Sequence, residues 1–375
     1  MDHPKIAILG AGPSGLLLAR LLSLSSIPYT IYERDTSPSS SRAGGSLDIH
    51  DSTGQLALRK AGLFDEFQKH ARYDDTVFSV SDKGGERLLE IGQGRDAPEI
   101  DRAELRRLLV ESVPGDTIKW GYALREVRIG GDGRPELRFG NGEVSGGWGL
   151  VVGADGAWSK VRSLVTDAKP RYTGRAYLES RVNRDSQFCE TLAARAGAGM
   201  AMAIGDRKLV ITQRQGNGSY RTYFGMEADE GFFGGWDLED VEGTRRRVLD
   251  LFGDWADEYK DLVHYSTNFR TWPLYSLRAE DMRWKSVPGV TLIGDAAHLS
   301  VPNGDGVNLA MLDALQLAGK IAERGDENLD VAVQEYEKEM SPRGAETIKD
   351  GEAMATIMFG EGPQALVGVM KSFGG

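Results

Sequence analysis

The chain has 375 residues, of which 40% are hydrophobic and 27% charged, and its formal net charge is −11. That length exceeds one simple core, so two packed regions are expected, and the acidic balance gives no attraction to nucleic acid or anionic lipid. A single cysteine, Cys189, permits no internal disulfide, and the five histidines lack the paired spacing of a zinc or iron site. A cytoplasmic protein with no metal, no leader and no membrane span is the expectation.

In chain order, Lys5 to Leu9 is a short apolar run ending at glycine, Leu16 to Leu24 has helical apolar spacing, and Tyr29 to Tyr32 reads as a second strand. Together they predict a βαβ unit. Asp48 to Phe67 and Arg102 to Val113 carry apolar residues at helical intervals and are predicted as helices. Leu124 to Phe139 and Glu143 to Val152 read as strands, with Gly130-Gly131-Asp132-Gly133 and Asn141-Gly142 as turns. From Tyr172 to Met226 strands alternate with turn signals at Gly205-Asp206 and Gly216-Asn217-Gly218-Ser219, without crossover helices. An antiparallel second domain is therefore expected there. Val241 to Tyr259 predicts an amphipathic helix, Val290 to Ile293 a buried strand, Val307 to Arg324 a long helix, and the chain beyond Asp330 further helix, with a fresh start at Pro342.

Three short segments carry the chemistry. Gly10-Ala11-Gly12-Pro13-Ser14-Gly15 follows the first strand and opens the first helix, where glycines let backbone approach a pyrophosphate and the helix N-terminus offers unpaired N–H groups. Glu33 ends the second strand, placed to accept hydrogen bonds from a ribose diol. This pair fits NAD and FAD alike. Val151 to Arg162, containing Asp155-Gly156, and Leu292 to His298, containing Gly294-Asp295, each follow an apolar strand with a glycine and a carboxylate at a sharp turn.

With all three in this order, the sequence closely resembles the group A flavoprotein monooxygenases, the fold of p-hydroxybenzoate hydroxylase, over nearly the whole chain. Its closest form in that resemblance is the TetX-like tetracycline-modifying monooxygenases, carried by Gly44-Gly45-Ser46-Leu47-Asp48-Ile49-His50, by Pro98 to Arg106 and by Trp255 to Leu262. The resemblance implies an α/β fold: a Rossmann-like FAD-binding domain of residues 1–73, 100–171 and 275–325, and an inserted antiparallel substrate domain of 74–99 and 172–274. Residues 326–375 would form a C-terminal helical segment bridging the two, with Met354, Ile357, Met358 and Phe359 as its apolar contacts.

Carried over, the resemblance implies that Gly10, Gly12, Pro13, Ser14 and Gly15 cradle the pyrophosphate and that Glu33 and Arg34 hold the adenosine ribose. Asp48 would lie near the flavin, Arg102 would bind FAD with Arg106 a second candidate, and Arg42 and Leu124 would also contact the cofactor. Asp155 and Gly156 are assigned to both FAD and NAD(P)H, and Gly294-Asp295 to the ribityl chain. Pro302, Gly304, Gly306, Val307 and Asn308 would put a helix N-terminus at the pyrimidine end of the flavin, where it favours the anionic reduced ring. Only Asn303 separates Pro302 from Gly304, one residue fewer than the family's spacing, and Asp305 stands where glutamine is common. A carboxylate there is unfavourable unless it turns outward.

The implied activity is NAD(P)H-consuming, O2-dependent hydroxylation of a soluble aromatic or polyketide-like molecule through a flavin C4a-hydroperoxide. Tetracycline, and hence antibiotic resistance, is one possibility. FAD would be non-covalent and NADPH or NADH a transient donor, since the one βαβ fingerprint is already used. No catalytic acid or base is assigned, because the cofactor carries the chemistry. Tyr223 and Phe224 are the substrate candidates, and Ala196 to Ala203 suggest an apolar pocket wall. A monomer is expected. The alternatives are a reductase or dehydrogenase of the same fold and a flavin-binding protein without turnover.

Overall fold

A computed structural model describes residues 6–40, 44–73, 77–91, 96–197, 199–325 and 328–373. The chain opens with β1 (Ile6–Leu9), α1 (Pro13–Leu24) and β2 (Tyr29–Glu33). Next comes β3 (Ser46–Asp48), a π-helical turn over Asp51–Gln55, α2 (Leu56–Lys60) and α3 (Phe64–His70). This replaces the single helix expected over Asp48 to Phe67. Asp48 is drawn into an antiparallel ribbon with Glu99, and Gly62, at φ +67°, breaks the remainder in two.

The strands β4 (Phe78–Asp82) and β5 (Arg87–Ile91) lead to β6 (Glu99–Asp101), α4 (Arg102–Glu111) and β7 (Ile118–Trp120). The hairpin of β8 (Leu124–Ile129) and β9 (Pro135–Phe139) is extended by the short β10 (Val144–Ser145). The strand-like segment expected over Glu143 to Val152 falls in two sheets, since β11 (Leu150–Gly153) belongs to a different, parallel sheet. Then follow β12 (Arg171–Val182), α5 (Cys189–Ala196), β13 (Met200–Gly205), β14 (Lys208–Arg214) and β15 (Tyr220–Glu227). The predicted helix at Val241 is two, α6 (Val241–Phe252) and α7 (Asp257–Tyr265), with Trp255 buried at the corner. β16 (Thr267–Ser276), β17 (Val290–Leu292), α8 (Asp295–His298), α9 (Gly306–Arg324), α10 (Leu329–Thr356), a π-helical turn over Ile357–Glu361 and α11 (Pro363–Phe373) complete the chain.

One sheet is parallel throughout, in the order β17-β11-β1-β2-β7. Its central strands are buried on both faces, as a parallel sheet covered by helices requires, and the apolar run Ile6 to Leu9 supplies that burial. The second sheet has seven strands, β16-β12-β15-β14-β13-β4-β5. It is mixed, because β4 joins β13 in parallel while its other pairs are antiparallel.

One face of this second sheet packs on α6 and α7, where Phe252, Trp255 and Val263 meet Leu178, Val182 and Phe224. The other face receives the C-terminal segment, with Met358, Phe359 and Leu366 among Val80, Tyr177 and Leu209. Met354 and Ile357 pack partly buried against that cluster. α10 meanwhile buries Tyr336, Met340 and Ile348 in the core of the parallel sheet, so the C-terminal region touches both units. Pro342 does not start a new helix, contrary to expectation, but sits exposed inside α10. The bond missing at its nitrogen costs about 3 kcal/mol, an amount offset by the buried residues on either side of it.

Candidate active site

The first glycine loop is built as a cradle. Gly10 has φ +111°, and a Cβ there would lie 2.3 Å from Ala154 O, so only glycine lets β1 and β11 approach at this turn. A Cβ on Gly15 would lie 2.1 Å from Gly10 O, whereas one on Gly12 meets nothing within 4 Å. Pro13 occupies the start of α1, whose first turn has neither a side-chain cap nor an acidic residue. The loop is therefore tight behind, open in front and lined by unpaired N–H donors, which suits a pyrophosphate.

Glu33 is buried at the end of β2, and its carboxylate accepts from Ala11 N at 2.6 Å and from Asp35 N at 2.9 Å. It thereby fastens the cradle to the second strand. Arg34 is exposed beside it, and Arg42 lies outside the described residues. Arg106 is turned inward, donating to the carbonyls of Ala11 at 3.3 Å and Pro38 at 3.2 Å and to Asp35 Oδ2 at 2.9 Å. These internal contacts make it a brace for the loop. Leu124 begins β8, half-buried against the core of the parallel sheet.

The other two motifs adjoin the first. A Cβ on Gly294, whose φ is +60°, would meet Ala310 Cβ at 3.1 Å and Ser14 Oγ at 3.2 Å, so this turn touches both α1 and α9. Asp295 opens α8 with its side chain exposed, beside the cradle. Asp155 Oδ2 accepts from Lys160 N at 2.8 Å, while Oδ1 is buried without a partner, and burial raises this carboxyl above its ordinary range. Arg162, which sequence reasoning left without a role, ties the motifs together. Its buried guanidinium donates to Ala296 O at 2.8 Å, Ala157 O at 2.9 Å and Asp295 O at 2.8 Å.

Asp313 was likewise missed. It is fully buried, and its Oδ2 accepts from Gly294 N at 2.8 Å and pairs with His298 Nε2 at 2.6 Å, while Arg343 Nη2 reaches Oδ1 at 2.7 Å. Burial opposes the charge on His298, but the Asp313 carboxylate more than offsets it and raises the imidazole above its ordinary value. The structural role read for His298 is thus that of a buried ion-pair partner behind the Gly294 turn.

Pro302, Gly304 and Gly306 are exposed, and a Cβ on either of these glycines meets nothing within 4 Å. Val307 is half-buried in the first turn of α9. Asn308 is buried, donating Nδ2 to Asp48 O at 2.9 Å and accepting at Oδ1 from His50 N at 2.8 Å. It fixes β3 against α9. Asp305 turns toward His50, with Oδ1 3.3 Å from Nδ1, and Asp48 Oδ2 lies 3.0 Å from Nε2 of the same ring.

Arg102 opens α4, half-buried behind Gly44, where an added Cβ would come 2.4 Å from its Cδ. Across from Gly45 stand Gln213, Tyr223 and Arg221 of the second sheet, 2.6, 3.1 and 3.5 Å from the position of a Cβ on that glycine. Gln213 clasps Ser46, accepting from its N and donating to its O, both at 3.2 Å. Arg221 is buried against Glu179, which also accepts from Trp272 Nε1 at 2.9 Å. Burial pushes the Tyr223 phenol up to about 12, so it stays protonated as a hydrogen-bond donor.

Phe224 is a correction. Strand side chains alternate, so with Tyr223 facing Gly45 its neighbour must point to the opposite face, where Phe224 is fully buried against Phe252. The wall opposite Gly45 is also more polar than Ala196 to Ala203 suggested, because Gln213 and Arg221 come from strands on which no such residue had been singled out. Among the described residues no cluster could hold a metal ion, and no helix is long and apolar enough to cross a membrane.

Comparison with known proteins gives one family and many relatives. Residues 4–350 match the family described as FAD binding domain. The chain is 30% identical over 403 residues to monooxygenase penA of Penicillium thymicola, covering 92% of this chain and 93% of that protein. Klebsiella pneumoniae HpxO, solved in complex with FAD and uric acid, superposes with a TM-score of 0.80 at 21% identity over 98% of this chain and 92% of that one. Tetracycline destructase Tet(51) superposes with a TM-score of 0.69 at 21% identity, covering 95% of this chain and 90% of that one.

Proposed function

The chain belongs to the FAD-binding-domain family as a group A flavoprotein monooxygenase, and from that premise we propose that it takes electrons from NAD(P)H to hydroxylate a soluble aromatic or polyketide-like small molecule. The balanced reaction is NAD(P)H + H+ + O2 + RH giving NAD(P)+ + ROH + H2O. Two electrons from the donor and two from the substrate reduce dioxygen. Hydride acceptance and activation of dioxygen are what FAD supplies when bound.

The observation that carries the reading is the single glycine cradle. Among the described residues one βαβ loop of this kind is present, and Gly294 and Arg162 join it to the other two motifs as one site. Among the described residues a second dinucleotide has no fold of its own, which supports a donor that visits the site transiently. The chain's own residues then have distinct tasks. The N–H groups at Gly12 and the start of α1 hold pyrophosphate, Asp295 accepts from ribityl hydroxyls, and Arg102 offers a cation on the side facing the second sheet.

Tyr223 supplies a protonated phenol to orient a substrate oxygen, with Gln213 and Arg221 shaping the wall beside it. Uric acid bound by HpxO and the action of Tet(51) on tetracycline support a flat, oxygen-rich substrate class, tetracyclines included. FAD is held non-covalently, since Cys189 is engaged at the far side of the second sheet with its Sγ 3.1 Å from Asn183 O. We further propose a cytoplasmic monomer.

The deciding experiment scores NADPH and NADH oxidation by the FAD-loaded protein across phenols, hydroxylated heteroaromatics and tetracyclines, with product mass for each hit. A substrate that stimulates oxidation and gains one oxygen atom is expected. Donor consumption with products that never gain oxygen would make the protein a reductase, and a flavin that neither donor bleaches would overturn the NAD(P)H reading.

A further inference from the structure

Asp305 posed a difficulty from the sequence, since a carboxylate before α9 disfavours negative charge nearby. The structure places a compensating group beside it. His50 Nδ1 lies 3.3 Å from Asp305 Oδ1 and its Nε2 lies 3.0 Å from Asp48 Oδ2. A neutral imidazole carries one N–H and can donate to only one of these carboxylates, whereas the imidazolium serves both. Nε2 hydrogen-bonds Asp48 and Nδ1 lies within ion-pair distance of Asp305, so both carboxylates favour the charged ring.

Asp51, next on the same segment, is paired with Arg59 at 2.6 Å, and the first turn of α9 holds no acidic residue. Asn308 fixes the backbone on both sides, bonding Asp48 O at 2.9 Å and His50 N at 2.8 Å, so the segment that carries the ring is held against α9. The flanking Asp305 and Asp48 carboxylates, outweighing the effect of burial, push His50 up to about 9.

With FAD in the cradle, the clamp would stand at the end of the site that holds the flavin ring. Gly294 touches both Ser14 and Ala310, which puts Asp295 between the pyrophosphate cradle and α9. A cofactor held by Gly12 and Asp295 would have the start of α9 to meet beyond them, where a Cβ on Gly304 or Gly306 meets nothing within 4 Å. We propose that His50 is a positioning residue that bridges Asp48 and Asp305, offsets the negative charge of Asp305, locks β3 to the loop before α9, and raises the reduction potential of the flavin. This inference rests on FAD occupying the cradle and is independent of which donor or substrate the enzyme uses.

The test compares wild type, His50→Gln and Asp305→Asn as FAD-loaded proteins, measuring flavin content and the two-electron midpoint potential by dithionite titration from pH 6 to 10. Loss of a positive charge disfavours the anionic reduced ring. His50→Gln should lower the potential at pH 7 by about 30 mV or more, a tenfold change in the reduction equilibrium. The gap should close above pH 9, where wild-type His50 also loses its proton. Asp305→Asn should move the potential upward, and it carries the test alone if His50→Gln cannot be isolated folded. FAD-loaded variants with unchanged potentials at pH 7, or a gap that persists at pH 10, overturn the proposal. A wild-type protein that binds no FAD overturns this inference together with the flavin reading.

Discussion

Asp313→Asn removes the charge at the centre of the buried network behind the Gly294 turn. The carboxylate is fully buried and serves three donors, Gly294 N at 2.8 Å, His298 Nε2 at 2.6 Å and Arg343 Nη2 at 2.7 Å. Asparagine offers one oxygen and sets an NH2 against a remaining donor, leaving Arg343 without its counter-charge and His298 without the carboxylate that sustains its proton. Breaking a buried pair in this way costs about 3–5 kcal/mol. Unfolding entropy of roughly 2.1 cal/mol/K per residue over 375 residues is about 0.8 kcal/mol/K, so the melting temperature should fall by about 4–6 °C.

Flavin affinity should fall as well, by about tenfold, if about 1.4 kcal/mol of the loss acts through the freed Gly294 amide on the placement of Asp295. The assays are thermal melts followed by circular dichroism and flavin fluorescence, and titration of the apoprotein with FAD. Glu335→Gln, which breaks a surface pair with Arg324, is the control and should cost no more than about 1 kcal/mol. A melting temperature for Asp313→Asn within a degree of the control would refute the energetic reasoning. Destabilisation with unchanged flavin affinity would refute the link to Asp295.

Asp295→Ala should lower flavin occupancy more than Cys189→Ala, because ribityl hydroxyls lose their acceptor at about 1–3 kcal/mol, or tenfold to a hundredfold in affinity; equal flavin content in the two variants counts against the role. Acid precipitation should release the flavin into the supernatant, and colour retained in the pellet would mean a covalent link. Truncation after Arg343 removes Ile348, Met358, Phe359 and Leu366, all buried, at about 1.5–3 kcal/mol each. The sum rivals the stability of a whole domain, so the truncated chain should be largely unfolded, and a melt within a few degrees of wild type would show that the segment contributes little. His50 is raised from 6.5 to about 9, so its contribution is complete below pH 6.5 and is lost as the pH climbs through 9. With the side chain 31% exposed, solvent screening reduces that contribution to about 1–2 kcal/mol, readable as a steeper decline of the urea midpoint in wild type than in His50→Gln across that window.

Much of the molecule was legible because its signals are local. The βαβ unit around Gly10 to Gly15, the helices at Arg102 and Gly306, and the three glycine-bearing turns that adjoin one another each depend on residues within a few positions. Apolar periodicity and the conformational demands of glycine are written in such short stretches. Where a break in a helix depended on context, the same reasoning failed. The helix expected from Asp48 lost its start because Asp48 ends β3, which β6 was available to pair, and α10 ran through Pro342 because buried residues on both sides outweighed one missing bond.

Tertiary structure alone decided which face of β15 meets the site, and so separated Tyr223 from Phe224. It alone brought Asp313 behind Gly294, Arg162 between two motifs, and His50 between carboxylates whose segments are joined through Asn308, 258 positions further along the chain. A lone histidine or buried aspartate carries no local pattern. Its charge is tolerated only where folding delivers partners within reach, and some of these, such as Asp305 for His50 and Arg343 for Asp313, lie too far along the sequence for any spacing rule to connect them.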